Sequence, residues 1–266
     1  MKVDSFMRPL APVTLALLLS GCAALESTFQ ASSQGADGNE AIEVAQAVYA
    51  GGSYQESARL YERAVQTQPN SAEAYLGLGR AYMALDQTSR AELAFTRAQT
   101  LDRRDPEVLV ELGHLEVQRL HPAKAITHYD KALGLDRRNL SALTGKGVAL
   151  DFLSRHDEAN AVYRSAVEIY PTNFILLNNY ALNLVLSGQI GAGLTIMQDL
   201  MRDPERDELV RSNMALALVL DSRVNDARAI LAGNMSATEA DAALNKYMRI
   251  REQFRAGKPV GYMLFN

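Results

Sequence analysis

Residues 72–105 read AEAYLGLGRAYMALDQTSRAELAFTRAQTLDRRD, and residues 106–139 read PEVLVELGHLEVQRLHPAKAITHYDKALGLDRRN. Laid one above the other, these stretches of 34 residues align Gly79 with Gly113, Ala91 with Ala125, Phe95 with Tyr129 and Ala98 with Ala132. The same frame extends, without insertion or gap, to starts at residues 38, 140, 174 and 208. Position 8 is then Ala45, Gly79, Gly113, Gly147, Ala181 and Ala215, and position 20 is Ser57, Ala91, Ala125, Ala159, Gly193 and Ala227. Small residues at two fixed offsets mark places where antiparallel helices cross closely, because a larger side chain would hold them apart. Position 24 is bulky throughout, with Tyr61, Phe95, Tyr129, Tyr163, Met197 and Leu231, which suits the space between adjacent helix pairs.

This period and this alternation of small and bulky positions resemble the tetratricopeptide repeat, TPR. The resemblance implies an all-α fold: a right-handed superhelical TPR solenoid of about six helix pairs plus a C-terminal capping helix. Helix pairs are expected at 39–50/55–67, 72–85/88–101, 106–119/122–135, 140–153/156–169, 174–187/190–202 and 208–221/224–233. Pro69 and Pro171 fall at position 32, where proline stops a second helix without removing a needed bond. The sixth repeat is degenerate, as an end repeat without a neighbour on one side should be. Ser236 or Thr238 then caps a further helix that runs to about Arg255 and ends at Gly257 and Pro259. Its Ala240, Leu244, Tyr247 and Met248 suggest a face packed on the last repeat. Residues 38–256 form the solenoid with its cap, and 257–266 are an apolar tail (Val260 to Phe265) unsuited to water.

The N-terminus reads as an export signal. Lys2 and Arg8 precede an apolar run from Leu10 to Leu19, too short to span a bilayer, which takes about 20 residues. The run ends in Leu19-Ser20-Gly21-Cys22, which resembles a bacterial lipobox and implies cleavage after residue 21 and lipidation of Cys22. Cys22 is the chain's only cysteine. Several acyl chains anchor firmly, at about 0.8 kcal/mol for each buried CH₂. Ala23 stands where the inner-membrane retention signal has aspartate, so the expected address is the periplasmic face of the outer membrane. Residues 22–37, rich in Ser, Gln, Gly and Ala, read as a disordered tether.

Composition excludes other classes. One cysteine allows neither an intrachain disulfide nor a cysteine-based metal site. The net charge of −4 becomes −5 once Lys2, Asp4 and Arg8 leave with residues 1–21, and no basic tract offers phosphates a surface, so nucleic acid is not an expected partner. His114, His121 and His128 are spaced by seven, but the frame puts them on a first helix, in a turn and on a second helix. Gly77-Leu-Gly79 and Gly145-Lys-Gly147 are repeat positions, not phosphate loops, since neither follows a strand. No nucleophile with a neighbouring base can be named, so the chain reads as a binding protein rather than an enzyme, with no cofactor beyond the lipid.

The TPR resemblance implies that first helices line a concave groove, with positions 2, 5, 6, 9, 12 and 13 facing into it. Position 9 reads Gln46, Arg80, His114, Val148, Leu182 and Leu216, and position 12 reads Tyr49, Met83, Val117, Asp151, Val185 and Val219. The N-terminal half is polar and mixed, the C-terminal half apolar. Asn178 and Asn179 fall at positions 5 and 6 and Asn213 at position 6, a spacing that resembles the asparagine ladder by which some TPR proteins hold an extended peptide. The expected partner groove is thus Asn178, Asn179, Leu182, Val185, Asn213, Leu216 and Val219. Two other readings stay open: the asparagines cap or bridge adjacent helices, or the chain's own tail fills the apolar half.

The stretch Asn225-Asp-Ala-Arg-Ala-Ile-Leu231, followed by Asp241-Ala-Ala-Leu-Asn245-Lys-Tyr247, is similar to the C-terminal part of the tight-adherence (Flp pilus) assembly lipoproteins of the TadD type. This resemblance implies a pilotin-like scaffold that helps a secretin channel and other pilus proteins assemble at the outer membrane. Alternatives are a lipoprotein of another envelope complex, such as a type IVa pilotin or an outer-membrane protein assembly subunit, or a regulator of a cell-wall enzyme.

Overall fold

The computed structural model describes residues 38–203 and 207–264. The expected signal peptide, Cys22, the tether and Phe265 lie outside the described residues. Six helix pairs follow one another: α1 (Gly38–Ala50) and α2 (Tyr54–Thr67), α3 (Ala72–Ala84) and α4 (Thr88–Leu101), α5 (Pro106–Gln118) and α6 (Pro122–Leu135). They continue with α7 (Leu140–Phe152) and α8 (His156–Ile169), α9 (Phe174–Leu186) and α10 (Ile190–Leu200), α11 (Asp207–Leu220) and α12 (Val224–Leu231). A longer α13 (Ala237–Arg255) and a single turn α14 (Gly261–Leu264) complete the described chain. Each helix packs on its pair-mate and on the following pair, and first helices of successive pairs also touch, which is the expected all-α solenoid. Among the described residues no helix is long and apolar enough to cross a membrane.

The small positions have two distinct causes. At position 20 the helices themselves meet: a Cβ on Gly193 would lie 2.6 Å from the Ala181 carbonyl oxygen. In the first repeat Ser57 uses the same approach to donate its Oγ hydrogen to the Ala45 carbonyl at 2.9 Å. At position 8 the neighbour is an aromatic ring rather than a helix backbone. A Cβ on Gly113 would lie 2.5 Å from the Tyr129 ring, and one on Gly145, in the next repeat, would meet the other side of that ring at 2.5 Å. Tyr129 is therefore held between two glycines, whereas Phe95 and Tyr163 each meet one, Gly79 and Gly147. All three rings are buried.

Turn chemistry repeats with equal regularity. Every first helix ends in a residue with positive φ at position 15: Gly52 (79°), Asp86 (57°), Leu120 (60°), Ser154 (57°), Gly188 (82°) and Ser222 (69°). The next N–H reaches back to the fifth preceding carbonyl, as in Gln87 to Tyr82 and His121 to Glu116, both at 2.8 Å. This is the Schellman termination, whose left-handed residue reverses the chain in few residues. At the opposite end of the repeat, position 34 supplies the N-cap of the next first helix. Ser71, Asp105, Asn139 and Asn173 accept from the backbone N–H of Ala74, Glu107, Ala142 and Leu176.

The C-terminal helix starts as expected at Ser236, where a reciprocal capping box with Glu239 satisfies two backbone donors. It packs on α11 and α12, burying Ala240, Leu244 and Ile250 in a core shared with the last two repeats. Gly257, at φ 66°, ends the helix. Val260 enters the same core, and Gly261 lies against the end of α7.

Candidate functional site: a concave groove at the third to fifth repeats

The first helices present a polar, self-paired stretch, an open pocket and a covered apolar stretch, in that order along the array. In the polar stretch, Arg80 on α3 donates to Glu111 at 2.6 Å and Glu107 at 2.9 Å on α5. Asn139 donates to Glu107 at 3.0 Å, and Gln46 to Glu73 at 2.8 Å. Burial pulls the Arg80 guanidinium down, but Glu111 and Glu107 outweigh it and hold its pKa above the ordinary value. Burial likewise pushes Glu111 up, and His114 and Arg80 more than reverse this, leaving its carboxyl below the usual range. These polar side chains therefore tie successive repeats together and are largely spent on one another.

Next comes a cavity of about 600 Å³ between α5, α7 and α9. His114 and Val117 line it from α5, Thr144 and Val148 from α7, and Ile175 and Asn179 from α9. Tyr129 is also among its lining residues, and the buried hydroxyl of that ring has no hydrogen-bond partner among the described residues. The His114 ring meets Tyr129 edge-on at 5.7 Å between centroids. Ile175 is 52% exposed, a large aliphatic side chain held in water by the end of a helix. The pocket combines an apolar lining with an amide and hydroxyls, the composition of a surface that grips a side chain and orients its backbone.

Asn179 thus lines an open pocket, and that pocket extends from it toward α5 and α7 rather than toward Asn213 on α11. The other expected groove residues need correction. Leu182, Val185, Leu216 and Val219 are all buried in one core with Leu244, Ile250 and Val260. α13 and the residues after it cover this face, because an apolar surface of that size is not left in water. Asn178 is buried and its Oδ1 accepts from Asn213 Nδ2 at 3.1 Å. That pair bridges α9 and α11, which is the helix-bridging reading rather than an open ladder.

At the border between pocket and covered stretch, Asp151 on α7 is 1% exposed. His156 Nδ1 lies 2.7 Å from its Oδ1, and Asn183 Nδ2 donates to the same oxygen at 2.8 Å. Its Oδ2 has no partner among the described residues. Burial pushes the Asp151 carboxyl above the usual carboxylate range despite these bonds. The remaining histidines do not converge: His121 contacts Glu116 at 2.8 Å, and His128 is held below its ordinary pKa by burial and by Lys131. Among the described residues no group of three metal-ligating side chains occurs.

Sequence reasoning had not singled out Ile175, Thr144 or Val117 as a pocket, although the position rule contains them. Ile175 is at position 2, Thr144 at 5, Asn179 at 6, His114 and Val148 at 9 and Val117 at 12. What the rule lacked was the extent of the face that the chain covers with its own C-terminal helix.

Residues 38–111 match one family model described as a tetratricopeptide repeat, and residues 110–174 match a second with the same description. The cytochrome c-type biogenesis protein CycH of Pseudomonas aeruginosa is 34% identical over 118 residues, 43% of this chain and 29% of that protein. The chain spans less than half the length of the curated relatives it matches. Among solved structures, the type IV pilus biogenesis factor PilW superposes with a TM-score of 0.64 at 21% identity, over 74% of this chain and 93% of that one. A tetratricopeptide repeat protein of Parabacteroides merdae gives 0.68 at 14% identity, over 87% and 92%. These similarities agree with the helix-pair solenoid built above from residue positions.

Proposed function

The chain belongs to the tetratricopeptide-repeat proteins, and on that premise we propose that it is a protein-binding scaffold, anchored by lipid at Cys22 to the outer membrane, that serves assembly of a tight-adherence-type pilus secretin. The observation that carries the binding role is the open pocket at Val117, Thr144, Val148, Ile175 and Asn179, flanked on both sides by surfaces already satisfied within the chain. That pocket is a stretch of first-helix surface open to a partner segment. The role read from the repeat architecture is adhesion and positioning of a partner. Support for the envelope setting comes from the lipobox-like Leu19-Ser-Gly-Cys22, from the resemblance of residues 225–247 to pilus assembly lipoproteins, and from the fold shared with PilW.

Crosslinking intact envelopes and purifying the chain tests this reading. The expected catch is a secretin with other pilus assembly proteins, and Cys22→Ser should leave the outer-membrane fraction and lose pilus assembly. A variant that still fractionates with the outer membrane and supports pili would contradict the anchor. A second reading, service to another assembly process of the envelope, is favoured by the similarity to CycH. Recovery of cytochrome maturation proteins, or of peptidoglycan synthases, in place of a secretin would move the assignment there.

A further inference from the structure

The C-terminal segment is seated differently from the rest of the molecule. After Gly257 turns the chain with its positive φ, Pro259 and Val260 lead back from the sixth repeat to the fourth, where α14 meets α7. Val260 is buried in the core that holds Leu182, Val185, Leu216 and Val219, and Met263 and Leu264 pack against that core. Tyr262 between them is half exposed. Among the described residues, no side-chain hydrogen bond or ion pair holds any residue from Lys258 to Leu264; backbone bonds from Lys258 to Gln253 and from Met263 to Val260, with apolar contact, do the holding.

Gly261 is the tightest point. A Cβ there would lie 2.5 Å from Phe152 Cα and 3.0 Å from the Asp151 carbonyl oxygen. Both are main-chain atoms of α7, which cannot swing aside as a side-chain tip can, so the seat accepts only glycine at this place. Beneath it, Asp151 keeps one buried carboxylate oxygen without a partner among the described residues. The seat lies close to the open pocket along α7, which contributes Val148 to the pocket and Phe152 to the seat, one helical turn apart.

We propose that the end of α7, beside the core that Val260 enters, is a docking site for a glycine-bearing apolar segment, and that residues 257–264 are its resident occupant, displaced when a partner segment of that chemistry enters the groove. The proposal rests on the groove being the partner surface. A partner chain laid in the open pocket runs along α7 and α9 directly into the resident segment. Partner binding then carries the cost of lifting the tail, which keeps the apolar seat covered until a partner is present.

The test uses the chain with its tail in place and a labelled peptide spanning residues 255–264 as the probe. In the parent chain the resident segment competes, and binding measured by fluorescence anisotropy should be weak. Gly261→Val forces the resident off its seat, so the peptide should bind at least tenfold more tightly and hydrogen exchange of residues 257–264 should accelerate. A chain ending at Ala256 should behave like Gly261→Val and guards against an indirect effect of the valine. The same peptide with valine in place of its second glycine should bind none of the three proteins. Equal affinity for parent and both variants would overturn the proposal, as would a valine-bearing peptide that binds as well as the native one. Photocrosslinking from Ile175 keeps the two levels apart: if it captures a partner while the peptide results fail, the groove reading stands and the tail is a fixed part of the fold.

Discussion

Tyr129 shows how single residues build the repeat. Its ring fills the gap between pairs only because Gly113 and Gly145 leave bare backbone on either side. The coupling holds in five of the six repeats: Phe95, Tyr129 and Tyr163 at position 24 go with glycine at position 8, and Met197 and Leu231 with Ala181 and Ala215, whereas Tyr61 goes with Ala45 and meets Gly77 of the next repeat instead. Gly113→Leu should therefore destabilise by about 1–3 kcal/mol or more through overpacking, read as a fall in melting temperature. An unchanged melting temperature would refute the ring-on-backbone account. Asn213→Ala should also destabilise, by about 1–3 kcal/mol in chemical denaturation, because it leaves the buried amide of Asn178 short of a partner. Loss of binding with stability unchanged would instead support the open ladder. Asp151 gives a pH-dependent case. Its folded pKa is raised by burial, so the folded state favours the protonated acid, and the stability this confers is lost as pH rises from about 4 through the folded pKa. Asp151→Asn should raise the melting temperature at neutral pH, with the gain shrinking as the pH falls through the raised folded pKa toward about 4. A gain that persists undiminished in acid would show that the charge is not the cause.

At the scale of helices and turns, much of the structure was legible from the 34-residue frame. Helix ends fell within a residue or two of expectation, and the start of α13 at Ser236 was signalled by its capping residues. The connections were less legible, for a physical reason. Only Gly52 and Gly188 advertise the left-handed residue of the Schellman turn, while Asp86, Leu120, Ser154 and Ser222 adopt it against their own preference because the packed helices on either side demand it. Leu120 is the least suited, since a left-handed conformation costs an L-residue about 1–2 kcal/mol and its side chain is only about half buried. Leu120→Gly relieves that strain while giving the unfolded chain more freedom, so the net stabilisation should be about 0.5–1 kcal/mol. A denaturation midpoint that falls would mean that the leucine side chain contributes more by contact than its backbone loses.

Across the whole molecule, the array is uneven in what it leaves free. The N-terminal first helices neutralise each other through Arg80, Glu107 and Glu111, and the C-terminal ones are sealed by α13 and Val260. The polar-to-apolar gradient is legible in the sequence, which offers two occupants for the apolar end, a partner or the chain's own C-terminal segment; the core there holds Val260 together with Leu244 and Ile250 of α13. Periodicity reports which face a residue occupies; it does not report which distant segment lies on that face. The apolar face of the covering helix, Ala240, Leu244, Tyr247 and Met248, is legible in the sequence; how far it reaches over α9 and α11 is set by long-range packing. The central claim, that a protein partner occupies the groove of the third to fifth repeats, is tested most directly by a photoreactive residue placed at Ile175 in intact cells, with Leu93 on α4, 73% exposed, as the control site. A discrete protein adduct from Ile175 and none from Leu93 is the predicted result; adducts from Leu93 alone, or equally from both sites, would contradict it.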